Sequence, residues 1–407
     1  MSNRKQALQV VRKLREAGFE AFFAGGCVRD MLLGRRPNDY DVVTNAQPPQ
    51  IIGLFRRTLE IGAKFGVVMA LLEDKKVEVA TFRTESGYAD GRRPDSIEFT
   101  DARQDCLRRD FTVNGMFYDP FKREILDYVG GRKDIQRRLL RTIGPPEERF
   151  AEDYLRLLRA VRFAVQLDFQ IEASTWSAVC TISDKIKQIS AERISAELQA
   201  ILTHPARGRG TGLLAESGLA QAIFPGLERS DLTPAMKVLE KMPKDIDWPL
   251  ALAGFFSGVP SEKALQWTAG LKPSRAQLKG LDFLLRNQGK VGESELSLAQ
   301  LKMLLTEPYF WDLYELACAE LRADGQSLSK LLSLKKRALS IEGSRLRPKP
   351  LLNGHELIAL GAAPGPMVGR LAKEMYIAQL GEQIHTARQA EKWAQDWLAK
   401  NATHEIS

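Results

Sequence analysis

Residues 25–41 constrain this chain more than any other segment, because they join a glycine turn to two acidic residues; they read GGCVRDMLLGRRPNDYD. The apolar run 21–24 before them predicts a short buried strand. Gly25 and Gly26 let the backbone turn tightly and present N–H groups to a phosphate, and Arg29 adds a cation one turn later. The segment therefore predicts a strand followed by a phosphate-binding turn.

Asp39 and Asp41 lie two residues apart at the start of a second predicted strand, residues 39–44. Side chains at i and i+2 of a strand point to the same face, with Cα atoms about 7 Å apart. Two such carboxylates suit a pair of Mg²⁺ ions about 4 Å apart, which neutralise the attacking and leaving oxygens of a nucleotidyl transfer. Either motif alone is also typical of an ordinary turn or a solvated strand end. Their order and spacing together predict a metal-dependent transfer site.

Glu78 is a candidate third carboxylate of this site. It is the one acidic residue in the run 77–82, VEVATF, which predicts a neighbouring strand. An edge-strand glutamate that points into solvent would give the same pattern, so both interpretations stay open. We predict the catalytic role.

The composition agrees with a polyanionic partner. A chain of 407 residues has room for two to four domains, and its net charge is +8 with a pI near 9.2. Basic residues recur in three clusters, each of which is also typical of a solvated face: Arg132, Lys133, Arg137, Arg138 and Arg141; Lys272, Arg275 and Lys279; Lys335, Lys336, Arg337, Arg345, Arg347 and Lys349.

The cysteine spacing and the N-terminal residues favour an intracellular protein. Four scattered cysteines without a C-x-x-C pair argue against a zinc site or a disulfide framework. Residues 1–20 are charged and amphipathic, which predicts a helix instead of a signal peptide, and no apolar run reaches membrane-spanning length. We therefore expect a cytoplasmic location.

The hydrophobic periodicity changes near Pro146. Strand and helix patterns alternate before it, whereas helical patterns with short Gly/Pro breaks follow, beginning with a predicted helix over 147–167. This predicts an α/β head followed by all-α domains. We place the head at 1–146, a helical neck at 147–205, a body at 206–329 and a tail at 330–407.

Three further motifs carry a resemblance to a known family. They read LRRDFTVNGM at 107–116, DYVGGRKD at 127–134, and EDYLR at 152–156 followed by LLRAVRFA. With residues 25–41, they resemble the class II tRNA nucleotidyltransferases of the polymerase β superfamily, a group that holds CCA-adding enzymes and bacterial poly(A) polymerases. The resemblance implies a polymerase β-type nucleotidyltransferase head, and Pro364-Gly365-Pro366 resembles the tail of longer bacterial members.

The resemblance also implies roles for individual residues. Asp39, Asp41 and Glu78 would be catalytic, with Asp39 and Asp41 binding Mg²⁺. The nucleotide would be bound by Gly25, Gly26, Arg29, Arg109, Asp110, Asn114, Glu152, Asp153, Arg156, Arg159 and Arg162.

The fourth motif would select the base. On a helix, Asp153 and Arg156 are i,i+3 neighbours that offer acceptors and donors to the Watson–Crick edge of cytosine or adenine. Glu152 and Arg156 are also i,i+4, where a surface ion pair would contribute only about 0.3 kcal/mol. Arg159 and Arg162 follow Arg156 at successive i+3 steps, which turn them progressively away from the face that would read the base. We therefore expect them to contact the triphosphate or the RNA.

Together these features predict addition of C, C and A to tRNA 3′ ends from CTP and ATP, with pyrophosphate released. The segment 85–94 resembles the flexible loop that the family needs for the final A. An A-adding enzyme that acts on tRNA ending in CC and a bacterial poly(A) polymerase are the alternatives, although IGAKFGVV at 61–68 is closer to the CCA-adding form. A non-catalytic RNA-binding protein would predict loss of Asp39 or Asp41, and both are present.

Overall fold

The computed structural model of the chain describes residues 3–62, 65–73, 75–86, 96–293 and 296–401. Two compact units are present, Met1–Met236 with Trp267–Pro273 and Lys237–Gln266 with Ser274–Ser407. The finer division into head, neck, body and tail stays a prediction. The loop predicted at 85–94 lies outside the described residues from 87 onward.

A mixed sheet lies at the centre of the first unit. The described strands are β1 (Ala21–Ala24), β2 (Asp41–Thr44), β3 (Thr58–Gly62), β4 (Val67–Leu72), β5 (Lys75–Thr81), β6 (Arg83–Ser86), β7 (Ser96–Phe99), β8 (Phe117–Asp119), β9 (Glu124–Leu126), β10 (Leu139–Leu140) and β11 (Gln170–Ile171). Seven of them form one sheet in the order β3-β4-β5-β2-β1-β8-β9, while β6 pairs with β7 and β10 with β11. The predicted strand at 21–24 is confirmed, and β8 and β9 form an antiparallel hairpin.

Helices surround this sheet and continue the first unit. They are α1 (Asn3–Glu16), α2 (Gly26–Leu32), α3 (Pro48–Leu54), α4 (Ala102–Leu107), α5 (Gly131–Gln136), α6 (Pro146–Glu152), α7 (Leu155–Leu167), α8 (Ala173–Thr181), α9 (Ala191–Leu202), α10 (Arg207–Glu216) and α11 (Leu219–Ile223). The amphipathic α1 buries Val10, Val11 and Leu14. The predicted α/β head followed by helices is therefore confirmed, with β11 as a two-residue strand beyond the predicted boundary.

Strand register decides which side chains share a face of the sheet. β1 pairs antiparallel with β2, so that Ala24 lies opposite Asp41, and β2 pairs parallel with β5, so that Val42 lies opposite Val79. Because side chains alternate along a strand, Asp41 and Glu78 lie on one face. The same face carries the buried cluster of Phe22, Ala24, Val43, Phe82, Ala102, Cys106 and Phe117.

Two predicted elements differ from the structure. β2 begins at Asp41, so Asp39 precedes the strand instead of belonging to it. The helix predicted over 147–167 is interrupted: α6 ends at Glu152, Asp153 is extended with φ −154° and ψ 103°, and α7 begins at Leu155. The helix α7 buries Leu157, Val161 and Val165.

The remaining described helices are α12 (Arg229–Lys241), α13 (Trp248–Phe255), α14 (Ser261–Gly270), α15 (Arg275–Asn287), α16 (Lys290–Glu293), α17 (Leu298–Leu305), α18 (Phe310–Ala323), α19 (Ser329–Leu339), α20 (Gly343–Leu346), α21 (Gly354–Ala359), α22 (Pro366–Leu380) and α23 (Ala387–Asn401). Within the second unit, Leu357, Leu371, Met375 and Trp397 belong to one buried cluster. Gly365 precedes α22 with φ 115°, a conformation that favours glycine.

The described residues contain no helix that is both long enough and apolar enough to cross a membrane. Cys27, Cys106, Cys180 and Cys318 are free thiols, as the cysteine spacing predicts.

Candidate active site

The glycine turn brings the backbone close to an arginine of the second motif. Gly25 has φ 68°, and a Cβ atom there would lie 3.2 Å from Nη1 of Arg109. Its N–H donates to the carbonyl of Met116 at 3.2 Å, which ties the turn to the last residue of the second motif. A side chain at position 25 would therefore strain the backbone and press on Arg109.

The carboxylates of Asp39, Asp41 and Glu78 influence one another. Burial raises the pKa of Asp41, the charge of Arg109 opposes that shift, and the charge of Asp39 adds to it. Burial likewise raises the pKa of Glu78, and the charge of Asp41 raises it further. Negative charge is thus concentrated among three side chains that remain accessible to solvent, which favours a cation or a proton there.

The donor atoms at this position fit a hard divalent cation, because they are carboxylate oxygens. Within the described ranges, no group of three or more His, Cys, Asp or Glu residues is arranged to hold a metal ion. The pair Asp39 and Asp41 and the role of Glu78 therefore stay predictions.

A cavity of about 540 Å³, here called the arginine cavity, lies against Asp41 and Glu78 but not Asp39. Its size falls in the usual range of small-molecule sites, roughly 300–1,000 Å³. Seven arginines line it: Arg29, Arg83, Arg108, Arg109, Arg156, Arg159 and Arg193. The acidic residues of the lining are Asp41, Glu78, Asp110 and Asp153. The surplus of guanidinium groups favours an anionic ligand such as a triphosphate.

A chain of hydrogen bonds joins three of the motifs along this cavity. Arg29 Nη1 donates to Asn114 Oδ1 at 2.7 Å, and Asn114 Nδ2 donates to Asp110 Oδ1 at 3.3 Å. Arg159 on α7 donates from Nε to Asp110 Oδ2 at 2.9 Å. The structure therefore brings Arg29, Asn114, Asp110 and Arg159 together, as the sequence predicts for a shared site.

Asp110 is a buried anion that depends on its arginine partner. Burial alone would raise the pKa of its carboxyl, but the charge and hydrogen bonds of Arg159, together with the charge of Arg156, lower that pKa from 3.8 to about 2. A carboxyl whose pKa is lowered on folding stabilises the protein above its ordinary pKa, and that contribution is lost as the pH falls toward the folded value.

We expect Asp110→Asn to lower the free energy of unfolding by about 3 kcal/mol near neutral pH, because it leaves Arg159 without its counter-charge. Urea unfolding at pH 7, compared with pH values between 3.8 and about 2, measures the effect. The difference from the native protein should shrink over that acidic window. Asp184→Asn, at a side chain that is 76% exposed, is the matched control and should change little. Equal stability of the two variants at pH 7 would contradict the assignment.

Asp105 on α4 is a second buried anion, which the sequence did not single out. Its carboxylate accepts from Arg108 at 2.7 Å and from Arg109 at 3.0 Å. Burial opposes ionisation, yet the charges of Arg109 and Arg108 hold the pKa of Asp105 below its ordinary value. Asp105 therefore orients two arginines of the arginine cavity. The sequence alone does not indicate this role, because an acid three or four residues before an arginine is common on helices.

The fourth motif meets the cavity through ion pairs. Asp153 caps α7 by accepting from the backbone N–H of Leu155 at 3.0 Å, and Arg193 on α9 donates to its Oδ2 at 2.7 Å. Arg156 donates to the carbonyl of Arg149 at 2.7 Å and also pairs with Glu152. Asp153 and Arg156 both line the arginine cavity, although they are not i,i+3 neighbours on one helix.

The remaining predicted and observed residues divide between the cavity lining and the structure around it. Arg162 is not part of the lining; it pairs with Glu197 at 2.6 Å and packs against the Phe163 ring. Glu152 is also outside the lining; it pairs with Arg156, which lines the cavity, and with Arg149, which does not. Arg83 and Arg193 line the cavity, but they lie outside the motifs and no local pattern marks them.

Comparison with known proteins identifies several that are similar to the chain. The family model described as "Poly A polymerase head domain" matches residues 21–141, and "Probable RNA and SrmB- binding site of polymerase A" matches residues 168–230. The chain is 41% identical to the CCA-adding enzyme of Geobacillus stearothermophilus over 224 residues, 55% of each protein. It is 38% identical to that of Lactobacillus johnsonii over 257 residues, 59% of this chain and 64% of the relative. The chain therefore spans about half the length of the first of these curated relatives and less than two thirds of the second.

A solved structure covers nearly the whole chain. The crystal structure of the Bacillus stearothermophilus CCA-adding enzyme in complex with CTP has a TM-score of 0.80 and 27% identity, covering 99% of this chain and 98% of that chain. A mixed sheet that carries paired carboxylates beside an arginine-lined cavity, followed by helices, defines a polymerase β-type nucleotidyltransferase fold. The chain is similar to poly(A) polymerase head domains and to CCA-adding enzymes. Nucleotidyltransferases generally use divalent metal ions.

Proposed function

We propose that this chain adds C, C and A to tRNA 3′ ends, using CTP and ATP and releasing pyrophosphate. The observation that carries the proposal is the arginine cavity, which joins the carboxylates of the sheet to Asp153 and Arg156. The similarity to the Bacillus stearothermophilus structure in complex with CTP supports the same assignment over 99% of the chain.

In the proposed reaction, the 3′-oxygen of the tRNA forms a bond to the α-phosphorus of the nucleotide. The bond from that phosphorus to the bridging oxygen breaks, pyrophosphate leaves, and the hydroxyl proton passes to solvent. Mg²⁺ held by Asp39 and Asp41 would neutralise charge on the attacking and leaving oxygens. Glu78 lies on the same face of the sheet as Asp41 and would add negative charge that favours the cation.

The arginine cavity would bind the triphosphate and the ribose. Gly25 and Gly26 leave room for the phosphates at the turn, and Arg29 and Arg109 supply positive charge beside it. Asn114 and Asp110 are hydrogen-bonded to each other and would hold Arg29 and Arg159 toward the ligand. Preformed pairs of this kind reduce the cost of ordering the side chains on binding.

Asp153 and Arg156 would read the base. Cytosine and adenine both present an amino donor next to a ring-nitrogen acceptor, which a carboxylate and a guanidinium can match. Guanine and uracil present the inverse pattern and would leave buried charges without partners. Arg193 and Glu152 would position the two side chains, because each is ion-paired to one of them.

The tail predicted at 330–407 would bind the tRNA away from the reacting end. Its exposed basic residues include Lys336, Arg337 and Lys349, and phosphate contacts of this kind supply much of the affinity for nucleic acids. We place the enzyme in the cytoplasm.

The test supplies each of the four ribonucleoside triphosphates singly, and then CTP and ATP together, with Mg²⁺, to tRNA that lacks its 3′ CCA. Incorporation of C, followed by A only after C is present, is expected. Incorporation of G or U at comparable rates would contradict the assignment of Asp153 and Arg156.

A further inference from the structure

Two carboxylates are ion-paired to three arginines of the arginine cavity without lining it. The arginines are Arg83, Arg108 and Arg109. Glu85 Oε1 accepts from Arg83 Nε at 2.7 Å and from Arg108 Nη1 at 2.9 Å. Asp105 accepts from Arg108 Nη2 at 2.7 Å and from Arg109 Nη2 at 3.0 Å. The described residues that form the lining include neither carboxylate, so a ligand in the cavity would contact the arginines and not Glu85 or Asp105.

This pairing leaves the group with little net charge. The three guanidinium groups keep their protons throughout the physiological pH range, and they share two carboxylates. Only one positive charge is therefore left over. The side chains of Glu85 and Asp105 are 9% and 1% exposed, so water screens their negative charges weakly. A nearby anion is attracted by the arginines and repelled by the two carboxylates that hold them.

The three arginines belong to the part of the cavity where phosphates are expected. They share its lining with Asp41 and Glu78. Arg109 donates from Nε and Nη2 to Asp105, at 3.3 Å and 3.0 Å. Its Nη1 is 3.2 Å from the place that a Cβ atom would occupy at Gly25. The donor that Asp105 does not use is therefore next to the glycine turn.

The pyrophosphate product makes this net charge important. In the proposed reaction, pyrophosphate forms in the arginine cavity, where seven arginines outnumber four acidic residues. Hydrogen bonds from guanidinium groups to phosphates are strong, and slow release of a product limits the turnover of many enzymes. A carboxylate that pairs with an arginine outside the lining weakens the attraction without occupying the place of a phosphate.

We propose that Glu85 and Asp105 limit how tightly the cavity retains pyrophosphate, because they offset the charge of the arginines that would contact it. This inference rests on the proposed function and adds to it the control of product release. The competing role is a purely orienting one, in which the carboxylates only hold the guanidinium groups in place. The two roles predict opposite results: loss of an offsetting charge tightens pyrophosphate binding, whereas loss of an orienting contact weakens it.

Glu85→Gln distinguishes the two roles. Glutamine keeps a side-chain oxygen that can accept from Arg83 and Arg108, and it removes the negative charge. Calorimetric titration with inorganic pyrophosphate and Mg²⁺ should give a Kd about tenfold lower than that of the unaltered protein. An unchanged or higher Kd would overturn the proposal.

Asp105→Asn removes the other charge and should also lower the Kd of pyrophosphate, so the proposal stays testable if one of the two variants does not fold. Asp119→Asn is the matched control. It takes a carboxylate that is 4% exposed away from Arg15, which does not line the cavity, and should leave the Kd unaltered. Equally tight binding in the control would mean that the effect does not depend on the three arginines, and would overturn the proposal.

The rate of C addition provides an independent measurement. In Glu85→Gln, the multiple-turnover rate with CTP should fall severalfold, while the single-turnover rate should stay within about twofold, because only product release is slowed. Equal changes in the two rates would overturn the proposal. Failure of the unaltered protein to add C at all would contradict the proposed function instead, and the calorimetric test, which needs no turnover, would still decide the role of Glu85.

Discussion

Asp41→Asn should reduce transfer of both C and A by at least about 10³-fold, because it weakens a metal ligand where charge develops on the reacting oxygens. Asp41 lines the arginine cavity together with Glu78. Burial and the charge of Asp39 raise the pKa of Asp41 and so disfavour its charged form, which a bound cation would restore. Single-turnover rates with saturating nucleotide and Mg²⁺ measure the effect.

The affinity for tRNA should change little in this variant, since most phosphate contacts lie elsewhere. Asp184→Asn, a substitution of the same kind at an exposed side chain of the same unit, should leave the rate unaltered. Near-normal turnover of Asp41→Asn in Mg²⁺ would remove Asp41 from the mechanism.

Arg156→Ala should relax the choice of nucleotide by at least about tenfold, because a site that hydrogen-bonds its substrate rejects wrong substrates by leaving buried groups unpaired. The rate with CTP should fall less than the ratio of CTP to UTP incorporation. Competition assays with paired nucleotides measure that ratio directly.

Arg162→Ala is the matched control, because Arg162 lies on the same helix α7 and has a partly buried ion pair but does not line the arginine cavity. It should lower stability and keep the selectivity for C and A. Equal loss of selectivity in both variants, or unchanged selectivity in Arg156→Ala, would mean that Arg156 only stabilises α7 through Glu152.

Sequence predicts those parts of the fold that depend on local chemistry. The buried strand 21–24, the glycine turn and the hydrophobic face of α7 follow from composition and period within a few residues. The sequence predicts the position of Asp39 less well. Asp39 precedes β2, because pairing with β1 determines the first residue of that strand. Strand ends depend on partners that are distant in the chain, and local patterns do not encode them.

The helix break at Asp153 illustrates the same limit at the site. An uninterrupted helical pattern covers 147–167, yet Asp153 leaves the helix, where it accepts from the backbone of α7 and pairs with Arg193. Aspartate competes for backbone N–H groups and favours helix caps, so the break has a local cause. The hydrophobic period of 147–167 does not show that cause. Arg193 lies 40 residues further along the chain, and only folding brings it to the cavity.

The identity of the added nucleotides shows whether the protein adds C, C and A to tRNA 3′ ends. Purified protein is incubated with three tRNAs that end at the discriminator base, at C and at CC, with CTP and ATP supplied separately and together, and the products are resolved to single nucleotides. All three tRNAs should be completed to CCA when both nucleotides are present. ATP alone should extend only the CC-ended tRNA, by one residue. A long A-tail, or A addition to the CC-ended tRNA with no C addition to the other two, would contradict that prediction.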